Sequence, residues 1–269
     1  MQKIQPHPAS FAFYTNRGIK ACASKHCGAR WLFQYDLKDF FYTINEKNIY
    51  DIFYKHGYRS LLAFELARIC TTTCLPKHLL CYIHQQCNYL NLGSYKFYAD
   101  NQQGVLPQGA PTSPMLSNLV AFNLDESLSK FANEHGLIYT RYADDISFST
   151  NSRGALFSIP EIVDALLKNI YQGDISLNKD KTIFSSKAHN RHITGITLSN
   201  DNKLSIGRYK KRVLSSKIHY YSLGHLNEDE IQKLKGELAF SFYIEPELKS
   251  RFIRKYGSEC LGKLVREIE

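Results

Sequence analysis

The chain has 269 residues, a formal net charge of +9 and a sequence pI near 9.1, with 43% hydrophobic and 13% aromatic residues. That length is ample for a substantial core, in one packed unit or two. The absence of any apolar run of spanning length excludes a membrane-embedded protein. Met1-Gln-Lys-Ile-Gln-Pro6 has no apolar stretch of the kind a secretory leader needs, and the seven cysteines are an odd count. Both features predict a soluble protein of a reducing cytoplasm rather than a disulfide scaffold, with no membrane partner. Excess Lys and Arg suits a polyanionic partner, although the same charge also serves as an ordinary solubilising surface.

Residues up to about Gly28 read as irregular, with Arg17 and Lys20 near Gly18. Arg30 to Ile44 opens as a buried aromatic and apolar strand that ends at Asp36, and a carboxylate there is costly unless it is paired or bound to metal. Helices follow over about Glu46–His56 and Ser60–Thr71. From 72 to 103, Leu79, Leu80, Tyr82 and Ile83 suggest a helix, and Tyr95-Lys-Phe-Tyr98 a short strand. Cys70, Cys74, His78, Cys81, His84 and Cys87 raise the question of zinc. Their helical spacing lacks the paired knuckles of a zinc ribbon, and buried free cysteines fit it better.

Gly104 to Asn118 holds three prolines and two glycines in a stiff loop, with Ser113-Pro114 reading as an N-cap followed by the first helical position. The helix it starts carries Leu116, Leu119, Val120, Leu124, Leu128 and Phe131 and stops at Gly136. Leu137 to Ser149 alternates polar and apolar residues around Ala143, Asp144 and Asp145, the pattern of a β-hairpin with two carboxylates at its tip. Adjacent carboxylates on a short turn are hard oxygen ligands suited to divalent ions, but such a pair alone is more often a solvated turn. Beyond it come an amphipathic helix over Ile159–Tyr171 and strand-like runs over Ile175–Phe184 and His192–Leu198. Helices are predicted over Ile206–Leu223, from a capping box at Asn227–Glu230 to about Tyr243, and over Pro246–Tyr256. A shift in composition at about 199–203 divides the chain into residues 1–200 and 201–269.

The order of a strand ending in Asp36, the loop Leu106-Pro-Gln-Gly-Ala-Pro-Thr-Ser-Pro114 entering a helix, and Tyr142-Ala-Asp-Asp145 resembles motifs A, B and C of the reverse transcriptase palm. Cys22-Ala-Ser-Lys-His26, Pro107 to Pro114 with Leu116-Ser-Asn118, and Ile193-Thr-Gly195 are similar to elements of the retron branch. The resemblance covers about residues 10–73 and 104–257. It implies an α+β fold, a right-hand polymerase palm and fingers with an antiparallel sheet plus helices, followed by a small helical thumb. The family normally has a longer N-terminal fingers section, so either the sequence is short at this end or triphosphate contacts come from Arg17, Lys20 or another chain. The stretch 74–103 is longer than in the family and reads as a docking surface or an inert embellishment.

The resemblance further implies an RNA-directed DNA polymerase that uses two Mg²⁺ ions, with Asp36 and Asp144 as metal bridges and Asp145 as third carboxylate. Leu37, Gln108 and Gly109 would line the nucleotide site. Phe41 is either the ring that excludes a ribose 2′-OH or core packing; Lys181 is either a proton donor to pyrophosphate or a surface lysine. His26 either contacts RNA or satisfies a buried hydrogen bond. Arg208, Lys210, Lys211, Arg212 and Lys217 would grip RNA from the thumb. Implied partners are dNTPs, a cognate noncoding RNA copied into msDNA from a 2′-OH primer, the DNA product and an effector protein in bacterial antiphage defence, with a homo- or hetero-oligomer possible. Two alternatives stay open: a defence polymerase with protein-primed or untemplated synthesis, and a non-catalytic RNA-binding scaffold.

Overall fold

In the computed structural model, residues 5–72 and 104–265 are described. The helix and strand expected between 72 and 103, and Cys74, His78, Cys81, His84 and Cys87, lie outside the described residues. Cys22, Cys27, Cys70 and Cys260 are free thiols. No helix among the described residues is long and apolar enough to cross a membrane.

The chain divides into two units, the first made of residues 1–18 and 31–184. Its sheet has the order β2-β3-β1-β4, with β1 at Trp31–Leu37, β2 at Ile138–Tyr142, β3 at Asp145–Thr150 and β4 at Leu177–Ser186. β1 and β2 both run antiparallel to β3. Side chains alternate across a strand, so the register sorts the residues by face. Phe33 sits opposite Phe148 and Tyr35 opposite Ile146, while Tyr139 and Arg141 flank the same two β3 residues from β2. This face is buried. Gln34, Asp36, Tyr142, Asp145 and Ser147 point the other way, which makes the second face polar.

Helices close the apolar face. They are α2 (Phe40–Thr43), α3 (Glu46–Lys55), α4 (Ser60–Cys70), α5 (Ser113–Val120), α6 (Phe122–Glu134) and α7 (Ile159–Tyr171). Leu124 and Leu128 of α6 and Val163 and Leu167 of α7 join Phe33, Tyr35, Ile146 and Phe148 in one core. Each such side chain contributes about 1.5–3 kcal/mol by leaving water. Asn45 forms the capping box that starts α3, exchanging bonds with Asn48. The single helix expected from Ser113-Pro114 up to Gly136 is two: Ala121 interrupts it without glycine or proline. Thr112, not Ser113, stands at the cap position, and Ser113 is the first helical residue.

The second unit takes residues 19–30 and 185–269. The N-terminal stretch expected to be irregular contains helix α1 (Ile19–Lys25), which packs on a small sheet of β5 (Arg191–Ile193), β6 (Ile196–Leu198) and β7 (Leu204–Ser205). The run His192–Leu198, expected as one strand, is a hairpin. Thr194 and Gly195 both have positive φ, 47° and 80°, the backbone a two-residue hairpin turn needs. The compositional boundary at 199–203 falls in the turn between β6 and β7, inside this unit; the chain's contacts divide it at 184 instead. Helices α8 (Arg208–Ser222), α9 (Glu228–Ile244), α10 (Glu247–Tyr256) and α11 (Ser258–Val265) complete the unit. The Asn227–Glu230 capping box is present as the sequence indicates; α11 was not expected.

Candidate active site

The three aspartates meet at one end of the first unit's sheet. Asp36 and Asp145 are direct cross-strand partners on the polar face, and Tyr142 pairs with Asp145 from the other side. Asp144 lies in the two-residue turn between β2 and β3, and its carbonyl accepts from the Leu37 N–H at 3.0 Å. The turn is thereby tied to β1 as well as to β2. Ala143, which precedes Asp144, has φ +57°. A left-handed alanine costs about 1–2 kcal/mol, and such strain persists only where the surroundings impose it.

Like charges directly opposite on neighbouring strands destabilise a sheet, and the electrostatics here show that. Burial, then Asp144, then Asp36 push the Asp145 carboxyl up to about 6. Asp144 is also raised, by burial first and by Asp36 among the lesser causes. A cation at the cluster is Lys181 of β4, whose Nζ lies 3.3 Å from both oxygens of Asp36. Asn178 donates to the same carboxylate at 3.3 Å. Hydrogen bonding to Asp36 raises the Lys181 pKa, so its ammonium stays charged. An exposed lysine thus stands where a positive charge is wanted.

These carboxylates fit a divalent ion. They are hard oxygen donors, Asp36 adds to the proton affinity of both Asp144 and Asp145, and Asp36 holds an ammonium as stand-in. Among the described residues no three His, Cys, Asp or Glu side chains form a ready-made ion cage.

The other expected site residues separate. Gln108 and Gly109 are exposed on the loop before α5, and Gly109 has φ +92°, which a side chain rarely adopts. The loop's entry is pinned: Leu106 N–H donates to the Ile44 carbonyl at 3.1 Å, and Val105 pairs with Thr72. Leu37 is corrected, because its side chain is buried in the core and its N–H is committed to Asp144. His26 is corrected as well. It is fully buried in the second unit, and desolvation lowers its pKa to about 3, so it offers RNA neither surface nor charge. Arg17 donates to the carbonyls of His7 and Ser10 at 2.7 Å each and braces the N-terminal segment. Lys20 lies over the Tyr243 ring within the second unit.

Phe41 is half-buried, edge-on to Phe40 and Phe13. A ring that leaves an edge exposed two residues into α2 can meet a sugar while resting on the core. Phe41→Ala is expected to raise use of rNTPs relative to dNTPs by about tenfold or more. A buried phenylalanine acting only as core would cost about 3–5 kcal/mol on the same change, with no change in sugar preference. Measuring the rNTP-to-dNTP ratio together with the melting temperature separates the two.

The five expected RNA-binding cations of α8 also sort themselves. Lys211 bonds Glu245 at 2.6 Å and is largely buried, and Lys217 bonds both oxygens of Glu237 at 2.6 and 2.7 Å. These two hold the helical bundle together. Arg208 and Arg212, one helical turn apart, line a cavity of about 1000 Å³ with Lys187, His189 and the exposed Tyr209. Lys210 projects from a different face of α8, close enough to His192 to add to the effect of burial, which is the main cause of that imidazole's lowered pKa.

Three buried polar residues of the first unit escape the sequence reading: Arg141, Asp125 and Asn118, all at 0% exposure. Asp125 receives both Arg141 Nε and Nη2, at 2.8 and 2.7 Å, and the Tyr139 hydroxyl at 2.6 Å. A signal was there: Asp125 occupies a position of α6 shared with Ala121, Leu128 and Ala132, on a stripe otherwise apolar. A charge at such a position implies a buried partner.

A helix-backed antiparallel sheet with one aspartate ending a strand and two in the facing hairpin defines the palm of a right-hand nucleic-acid polymerase. The family model for Reverse transcriptase (RNA-dependent DNA polymerase) matches residues 2–198. The chain is 35% identical to the Retron Ec83 reverse transcriptase of Escherichia coli, over 100% of this chain and 80% of that protein. It is 30% identical to the Retron Ec86 reverse transcriptase of Escherichia coli, over 98% and 73%, and 29% identical to the Retron Mx65 reverse transcriptase of Myxococcus xanthus, over 95% and 56%. Among solved structures, telomerase from Candida albicans aligns with a TM-score of 0.45 and 11% identity, over 94% of this chain and 46% of that one. The chain belongs to the reverse transcriptase family, in its retron branch, and is an RNA-directed DNA polymerase. A domain of this family works with a divalent metal ion.

Proposed function

We propose that this enzyme copies a structured noncoding RNA into msDNA, starting from a 2′-OH of that RNA, in the bacterial cytoplasm and in the service of antiphage defence with an effector protein. The observation that carries the catalytic part is the cross-strand pairing of Asp36 with Asp145 beside Asp144. The retron part rests on the 35% identity to the Retron Ec83 reverse transcriptase along the whole chain. In each cycle a hydroxyl oxygen forms a bond to the α-phosphorus of a dNTP, the bond to pyrophosphate breaks, and the hydroxyl proton leaves to solvent.

Asp36 and Asp144 would hold two Mg²⁺ ions, with Asp145 supporting one of them or its waters. Such ions lower the pKa of the attacking hydroxyl and neutralise the leaving pyrophosphate. The Lys181 ammonium, held beside Asp36, would be placed to donate a proton to the pyrophosphate. Gln108 and Gly109 present a flat, exposed edge to the nascent base pair, and Phe41 bounds the sugar. Arg208 and Arg212 hold phosphates of the template RNA, which structured RNA offers along with its 2′-hydroxyls.

Sequencing the nucleic acid that copurifies with the protein from its native host tests this reading. The expected product is single-stranded DNA whose 5′ end is joined through a 2′,5′ linkage to one RNA, released by debranching. DNA with a peptide-linked or free 5′ end and no RNA branch would favour the protein-primed or untemplated alternative.

A further inference from the structure

Arg141 is a buried cation on the core face of β2, directly behind the catalytic turn, and all three of its guanidinium nitrogens donate hydrogen bonds. Nε and Nη2 clasp the Asp125 carboxylate. Nη1 donates to the Ala143 carbonyl at 2.8 Å and to Asn118 Oδ1 at 3.1 Å. Ala143 is the strained residue that precedes Asp144. One side chain therefore connects α5, through Asn118, and α6, through Asp125, to the peptide that aims Asp144.

The N-terminal segment closes the same knot. Arg141 N–H donates to the Ala9 carbonyl, and Phe11 N–H to the Arg141 carbonyl, each at 2.8 Å, so residues 9–11 extend the free edge of β2 as a parallel bridge. Ser10 Oγ donates to Asn118 Oδ1 at 2.8 Å, and Asn118 Nδ2 to the Ala12 carbonyl at 2.9 Å. Asn118 thus accepts from Ser10 and from Arg141 with one oxygen.

We infer that Arg141, oriented by Asp125 and Asn118, is a positioning residue that holds the Ala143-Asp144 turn in its metal-binding shape. A bidentate pair with no exposure needs excellent geometry to offset its desolvation, and hydrophobic packing would close the core as well. What a hydrophobic replacement cannot do is donate to the Ala143 carbonyl and fix a left-handed alanine. Loss of the clamp should then loosen Asp144 and weaken ion binding, while dNTP contacts, which Arg141 does not make, remain. The inference rests on Asp144 being a metal ligand.

The test uses the full chain with Arg141→Lys, which keeps the charge but cannot clasp Asp125 and reach Ala143 together. Rates are expressed per active site from burst amplitude, so a mere loss of folded protein does not register. The expected result is a kcat lowered about tenfold or more, a Mg²⁺ midpoint raised about fivefold or more, as outer-shell losses do, and a dNTP KM within about twofold of wild type. Asn118→Ala and Ser10→Ala leave the Arg141–Asp125 pair in place and carry the same readouts if Arg141→Lys does not fold. A folded Arg141→Lys or Asn118→Ala enzyme with the wild-type Mg²⁺ midpoint and kcat overturns the inference. Asp144→Asn is run in parallel: if that variant keeps full activity, the metal assignment of the turn has failed rather than the clamp.

Discussion

Asp144→Asn combined with Asp145→Asn abolishes DNA synthesis, by about three orders of magnitude or more, and leaves the protein folded and binding RNA. Coordination needs charged oxygens, and an amide offers one neutral oxygen where a carboxylate offers two charged ones. The Arg141 clamp reaches the turn through the Ala143 carbonyl, so it survives the change and the backbone keeps its course. The variant is also expected to be the more stable protein in the absence of metal. Asp145 titrates near 6 when folded, above the usual carboxylate range. Between about pH 4 and 6 the folded state therefore binds more protons than the unfolded state, and metal-free stability falls as pH rises through that window. Removing this ionisation relieves the repulsion with Asp36 and Asp144. With Asp145 as exposed as it is, the gain is about 1 kcal/mol after discounting for solvent screening, or about 2–4 °C in Tm. A polymerase that stays active in this double variant would remove the hairpin from the metal site. A melting temperature well below wild type would show instead that the carboxylates serve the fold.

The same electrostatics show why the site was legible in the sequence and its support was not. Period-two alternation announces a hairpin, and a hairpin needs only local chain to bring Asp144 and Asp145 together. Asp36 could be placed because a buried strand cannot end in a carboxylate without reason. The alternation of Tyr139, Arg141 and Tyr142 gives no hint that Arg141 faces the core, since a strand arginine usually marks the solvent side. Its partner lies on α6, and only the packing of that helix under β2 makes the pair. The break at Ala121 was hidden for a related reason: no glycine or proline marks it. Helix α1 was missed because its sequence, Ile19-Lys-Ala-Cys-Ala-Ser-Lys25, is short, and its buried side, Cys22 and Ala23, is set by the distant β5–β7 sheet. Amphipathic helices with their own caps were read nearly residue for residue, as α7 over Ile159–Tyr171 and the Asn227 capping box demonstrate. Local chemistry is in the string, whereas long-range partners of buried polar groups are not.

That distinction decides the second large effect, on RNA binding. A charge run on one predicted helix treats Arg208, Lys210, Lys211, Arg212 and Lys217 as equals, and the structure separates them. Reversing Lys211 would set a glutamate against Glu245 in a nearly closed site, and the bundle would loosen for reasons unrelated to RNA. Arg208 and Arg212 have no ion-pair partner among the described residues, share one face of α8 and open onto the cavity with Tyr209, whose exposed ring can stack on a base. Arg208→Glu with Arg212→Glu is therefore expected to weaken cognate RNA binding by about ten- to a hundredfold at moderate salt. The slope of log affinity against log salt should become shallower by about 1.5–2, the share of two phosphate contacts. Lys210→Glu, on another face, should cost clearly less per charge reversed and serves as the control, while extension of a generic primer at saturating template should fall little in both variants. Filter binding across a salt series measures both quantities. Equal losses from Lys210→Glu and from the Arg208 and Arg212 pair would mean that the second unit attracts RNA through net charge alone. An unchanged affinity in the double variant would move template recognition off this cavity altogether.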